Sequence, residues 1–176
     1  MTIQIYILSK LLEGNTYPYK LKKALAEPIP FDKLGNLTES KLYYHFDVLK
    51  KQGLIEAREI IQEENRPDKQ VFAITDAGRA QLPHKIYDLF EKAKNISEMV
   101  VGITFLHHVE PARIAAILQS KLYALEKKQQ QFAHIYANVE VEAVKKDNID
   151  FVHAYFSDKV QREIQWLQAF ITKLKQ

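Results

Sequence analysis

Ser40, Tyr44, Asp47 and Lys51 lie within the segment LTESKLYYHFDVLKKQGLI, residues 37–55. At about 100° per residue, their spacing brings them to one side of a helix. A hydroxyl, a phenol, a carboxylate and an ammonium group on one face suit hydrogen bonding and ion pairing with a polar surface. No nucleophile stands beside a base there, so the chemistry is recognition. Lys41 and Tyr43 flank the face, Leu42, Phe46 and Leu49 define a buried stripe, and His45 sits beside that stripe.

Other constellations are poorer. His107 and His108 are adjacent and cannot reach one metal from the same helix face, while His134 and His153 are distant in sequence. Ordinary satisfied or partly exposed histidines are expected. Glu140 and Glu142 face different ways on a helix and make a poor acid/base pair. No Ser-His-Asp order, His-Glu-x-x-His motif or Gly-rich phosphate loop is present. With no cysteine, disulfides and thiolate chemistry are excluded. No enzymatic activity, cofactor or metal is expected.

The recognition face needs elements to position it. IQIYILSKLLEG forms a first helix with Ile5, Leu8, Leu11 and Leu12 on one stripe and a stop at Gly14. TYPYKLKKALAEP forms a second, with Thr16 as N-cap, Pro18 in the first turn, Leu21 inward and Lys20 and Lys23 outward. The third helix takes Thr38 as cap and Gly53 as stop. LIEAREIIQ and KQVFAIT read as strands joined through the turn-forming Arg66-Pro67-Asp68. A helix capped by Thr75 or Asp76 then runs to about Lys94. Three helices, a hairpin and a fourth helix make a winged helix-turn-helix.

From Ser97 onward the signals are helical only. SEMVVGITFLHHV, capped by Ser97, ends before Pro111; a long helix follows to about Lys146, and another runs from about Ile149 to Leu174. The stripe Ile114, Ile117, Leu118, Leu125, Phe132, Tyr136 and Val139, and the seam Phe156, Val160, Ile164, Leu167, Ile171 and Leu174, require partners. Trp166, Phe105, Tyr123 and Tyr136 are open to two readings, packing or a planar ligand. The 176-residue chain carries a net charge of +3, with 25 basic and 22 acidic side chains. That balance makes no case for nucleic acid in bulk, so local placement must carry it. No apolar run suits a membrane span, and a cytoplasmic location is expected.

The set ILSKLLEGNTYPYKLKKAL, LTESKLYYHFDVLKKQGLIEA and VFAITDAGRAQL resembles the PadR family of bacterial transcriptional regulators, in its longer subfamily with a helical C-terminal region. The resemblance covers roughly residues 3–95. It implies a dimeric repressor whose third helix enters the major groove, whose wing reaches the backbone or minor groove, and whose C-terminal helices form the dimer. It also implies control of phenolic acid or other stress-response genes, with a small aromatic effector. Tyr17-Pro18-Tyr19 stands where the family commonly has His-Gly-Tyr. Leu42-Tyr43-Tyr44-His45-Phe46 replaces Leu-Tyr-Pro-x-Leu, so Tyr43 keeps the family tyrosine and Tyr44 replaces the proline.

The resulting expectations are specific. The fold is mainly α with a small β-hairpin: a winged helix-turn-helix DNA-binding domain over residues 1–95, then a helical dimerisation and effector-response domain over 96–176. DNA contacts fall to Lys20, Lys23, Thr38, Ser40, Lys41, Tyr43, Tyr44, Lys51, Arg66 and Lys69. Dimer contacts fall to Phe156, Val160, Ile164, Leu167, Ile171 and Leu174. Partners are a palindromic double-stranded operator and a second copy of the chain. A protein-interaction adaptor built on the same winged helix is the alternative.

Overall fold

The computed structural model describes residues 1–24, 39–61, 69–138 and 142–176, apart from the side chains of Glu39, Ala143 and Val144. Its contacts divide into two compact units, Met1–Glu110 and Pro111–Gln176.

The first unit is built around α1 (Thr2–Glu13), which is buried on nearly every side. Ile5, Ile7 and Leu8 are fully enclosed, and the Tyr6 ring is buried with them. The Tyr6 hydroxyl donates to the Leu21 carbonyl at 3.3 Å, tying α2 (Pro18–Ala24) to α1. Burial pushes that phenol up to about 12, so it stays a neutral donor. Pro18 takes the first helical position, where its missing N–H costs nothing. Thr16 does not cap this helix. Its backbone exchanges two hydrogen bonds with Phe72, at 3.1 and 2.8 Å, and adds a one-residue third strand to the hairpin. The Tyr17 carbonyl accepts the first helical bonds, from Lys20 and Leu21 N–H at 3.1 and 3.3 Å, so Tyr17 holds the cap position and Thr16 lies one residue before it.

Helix α3 (Glu39–Lys51) ends as its glycine suggests. Gly53 has φ 69°, in the left-handed region. The Gly53 N–H donates to Lys50 and the Leu54 N–H to Leu49, both at 3.0 Å, which closes a Schellman motif. Strands β1 (Ile55–Ile61) and β2 (Lys69–Ile74) pair antiparallel, with a bulge between Ala57 and Glu59. Only β2 is buried along most of its length, because it is the central strand, with β1 on one side and Thr16 on the other.

Helix α4 (Asp76–Lys92) starts at Thr75, whose hydroxyl accepts from Gly78 N–H at 3.1 Å and donates to the Gly53 carbonyl at 2.7 Å. Helix α5 (Ile96–Thr104) is capped by Asn95 and not by Ser97. The Asn95 side chain accepts from Glu98 N–H at 3.1 Å, and Glu98 in turn accepts from Lys94 N–H at 2.8 Å. This helix packs with α1 and α4, so it belongs to the first compact unit.

The second unit is a pair of long helices, α6 (Pro111–Ala137) and α7 (Ala143–Leu174). Gln129 bonds Gln161, Gln168 bonds Glu126, and Tyr136 donates to Asp150. Those rungs run in opposite chain directions, so the helices are antiparallel. The chain reverses earlier than the apolar stripe implies: α6 stops at Ala137, and Lys146 already lies in α7. Val139, the last residue of the expected stripe, lies outside the described residues.

Candidate nucleic-acid interface

Helix α3 turns Leu42, Phe46 and Leu49 into the core, and all three are essentially buried. Each such side chain contributes roughly 1.5–3 kcal/mol, which fixes the rotation of the helix. Ser40, Lys41, Asp47 and Lys51 are exposed as a result. The Tyr44 ring is 63% exposed against 44% for Tyr43. Tyr44 lies about 200° around the helix from Leu42 and Tyr43 only about 100°, so the ordering follows from geometry.

On one flank of α3, Tyr43, Phe46 and Asp47 form a wall of a groove of about 730 Å3. Tyr17, Pro18, Tyr19 and Lys23 make a second wall, and Lys69, Gln70 and Phe72 of β2 a third. The rings of Phe46 and Phe72 lie 5.1 Å apart, giving the groove an aromatic base. Around it, the Lys23 ammonium sits 5.1 Å from the Tyr19 ring centre and that of Lys69 sits 5.5 Å from Tyr17. Cation–ring attraction of this kind holds ammonium groups at a surface without removing their charge. The arrangement offers two cations and several phenol hydroxyls to an anion, with Asp47 opposing them.

The other flank of α3 is anchored by polar groups. Lys85 Nζ donates to Gln4 Oε1 at 2.8 Å, and Gln4 Nε2 approaches His45 Nδ1 at 3.5 Å. Burial, then the Met1 amino group, Lys85 and Lys41, hold the His45 imidazole below its ordinary value. Burial likewise lowers Lys85, against the pull of Asp88. Gln4 and Lys85 did not stand out in the sequence. A lone glutamine in the apolar run of α1 is the signal that marks one of them.

Eight of the expected contact residues, Lys20, Lys23, Ser40, Lys41, Tyr43, Tyr44, Lys51 and Lys69, lie in the first unit, and Lys23, Tyr43 and Lys69 share the groove. Thr38 and Arg66 lie outside the described residues. Tyr17 and Tyr19, visible in the sequence only as a departure from a motif, line the groove as well. At the bulge, Arg58 pairs with Glu56 at 2.6 Å, so its charge is compensated locally. In the second unit Ile164, Leu167 and Ile171 are buried, Val160 and Leu174 are half-buried, and Phe156 is exposed. Trp166 and Tyr123 are each 67% exposed. Among the described residues no His, Cys, Asp or Glu cluster is suited to a metal ion, and no helix is long and apolar enough to cross a membrane.

A helical core closed by a hairpin, with the polar face of the third helix open to solvent, defines a winged helix-turn-helix domain. Residues 7–84 match the model of the transcriptional regulator PadR-like family. Over those residues the winged unit is similar to this family of transcriptional regulators. Comparison with curated proteins returns no match. Similar solved structures include Bacillus subtilis PadR in complex with operator DNA, at 16% identity, covering 99% of each chain, with a TM-score of 0.41. The PadR-like regulator BC1756 from Bacillus cereus is 16% identical over 98% of each chain, with a TM-score of 0.42. A transcriptional regulator from Clostridium thermocellum, Cth-833, is 29% identical over 48% of this chain and 79% of its own, with a TM-score of 0.41. The likeness to this family rests on the sequence match over residues 7–84.

Proposed function

We propose that the protein is a homodimeric repressor that binds a palindromic double-stranded operator. Helix α3 lies in the major groove, the wing lies along the backbone, and α6 and α7 hold two copies together. The observation that carries the reading is the open face of α3: Ser40, Tyr44 and Lys51 are exposed beside a groove that presents Lys23 and Lys69. A helix fits the major groove, where every base pair shows a distinct donor and acceptor pattern. Ammonium groups along one flank suit phosphates and set register without reading sequence.

Dimerisation is supported by the surface of the second unit. Phe151, Val152, Tyr155 and Phe156 of α7 are all at least half exposed. Their spacing places them as two adjacent i, i+4 rows on one side of the helix. Large apolar side chains gathered in this way mark an interaction surface. A second copy doubles the phosphate contacts and reads two half-sites about 34–36 Å apart, or a multiple of that. A small aromatic effector, as the family resemblance implies, acts by favouring dimers whose recognition helices miss that spacing, and it must bind the two states unequally to do so.

Footprinting of the purified protein upstream of its own gene and its neighbours tests the function. One protected palindrome, with affinity falling steeply as salt rises, is the expected result. Selection of no fragment from a genomic library overturns the DNA reading and favours the adaptor.

A further inference from the structure

We propose that Gln4 is a positioning residue for the recognition helix, acting through His45. A directed hydrogen-bond chain from Lys85 through Gln4 to His45 sets the seating of α3, and it holds only while His45 is neutral. The inference rests on the reading of α3 as the helix that contacts DNA.

Gln4 is 9% exposed, inside a helix whose neighbouring residues are apolar and enclosed. A buried amide needs partners for both of its ends. Lys85 can only donate, and its Nζ lies 2.8 Å from Gln4 Oε1. That contact dictates the orientation of the amide: oxygen toward Lys85, and the NH2 toward His45. The NH2 can only donate, so Nδ1 at 3.5 Å must accept. The proton of His45 therefore resides on Nε2 and the ring is uncharged.

Protonation of His45 turns Nδ1 into a donor that faces another donor. Reversing the amide does not relieve the conflict, because the NH2 would then face the Lys85 ammonium. The chain has one consistent state. It joins three helices, since Gln4 belongs to α1, His45 to α3 and Lys85 to α4. His45 lies about 60° from the Leu42 stripe on the side away from Tyr43, where a lateral bond resists rolling of the helix.

Among the described residues, the charged groups acting on His45 all oppose its protonation. The Met1 amino group approaches from α1, Lys85 from α4 and Lys41 from α3 itself, and all three are cations. The Tyr44 ring meets the imidazole edge-on, with centres 5.1 Å apart. Loss of the chain therefore reaches the outward tyrosine directly.

The test uses the full chain, and it couples NMR titration of His45 with the affinity for the fragment protected in footprinting. In the native protein, affinity should fall several-fold from pH 7.5 to 5.5. Gln4→Glu supplies a carboxylate that accepts from both Lys85 and a protonated His45. It should raise the His45 midpoint by at least about one unit and move the pH profile of binding with it. His45→Gln keeps an acceptor but cannot titrate, so its binding should be flat over the same range. An unchanged His45 midpoint in Gln4→Glu removes the chain, and an unchanged pH profile in His45→Gln removes its role in binding. If the native protein protects no fragment at any pH, the DNA reading falls and the positioning role falls with it; the NMR arm then still decides whether the chain exists.

Discussion

Gly78 approaches the Leu54 carbonyl so closely that a Cβ at position 78 would lie 2.1 Å from the oxygen. That carbonyl also accepts from Thr75 N–H at 3.1 Å, so the contact joins the end of α3 to the start of α4. The oxygen is backbone and cannot swing away. Gly78→Ala should therefore destabilise the winged unit by about 1–3 kcal/mol, as overpacking against a fixed partner does. Thermal unfolding measures it; a melting temperature within a degree of the native value would show that the two segments separate freely.

Tyr44 and Lys51 should separate by the kind of contact each makes. Lys51→Ala should weaken binding for all sequences alike and lower the slope of log affinity against log salt by about one. Tyr44→Ala should leave that slope in place and cost about 1–2 kcal/mol of discrimination at the base pair it meets. Both variants should keep the native oligomeric state. Equal effects of Tyr44→Ala on specific and random DNA would reassign Tyr44 to the backbone.

Acid should loosen the first unit. His45 and His108 both have folded values held below the ordinary 6.5, burial being the largest cause in each case. Between the folded and unfolded values the unfolded chain binds more protons, so stability rises with pH. It is fully present above about 6.5 and is lost as pH falls through the folded values. Asp88, lowered by its bond to Lys92, acts in the same direction but only near and below its ordinary 3.8. Melting temperature should fall between pH 7 and 5, and a double His45→Gln, His108→Gln variant should show a flatter curve.

Replacing Phe151 and Phe156 by aspartate should halve the solution mass measured by light scattering. Both side chains are exposed, at 74% and 57%, so folding of the α6–α7 pair should survive. Operator affinity should drop by at least about tenfold as the second half-site is lost. A native mass in the double variant would place the dimer contact elsewhere.

Asn95→Ala should cost about 1 kcal/mol of stability through loss of the α5 cap, whereas Ser97→Ala should be neutral. The pair distinguishes the observed cap from the one the sequence suggested.

The apolar spacing of Leu42, Phe46 and Leu49 was enough to determine which face of α3 is buried and that Tyr44 points outward. Gly53 marked the end of that helix, and the runs rich in β-branched and aromatic residues on either side of 62–68 marked a hairpin. These features depend on side-chain direction within one or two turns, which the sequence states directly. Other features depend on residues far apart in the chain. Thr16 pairs with Phe72, and Gln4 meets His45 and Lys85, so neither partnership has a local signature. The seam of α7 was legible as apolar, but only the fold decided that Ile164, Leu167 and Ile171 are enclosed while Phe156 remains at the surface. Periodicity names the face of a helix that must be covered; packing of distant elements decides what covers it, and how much is left for a partner.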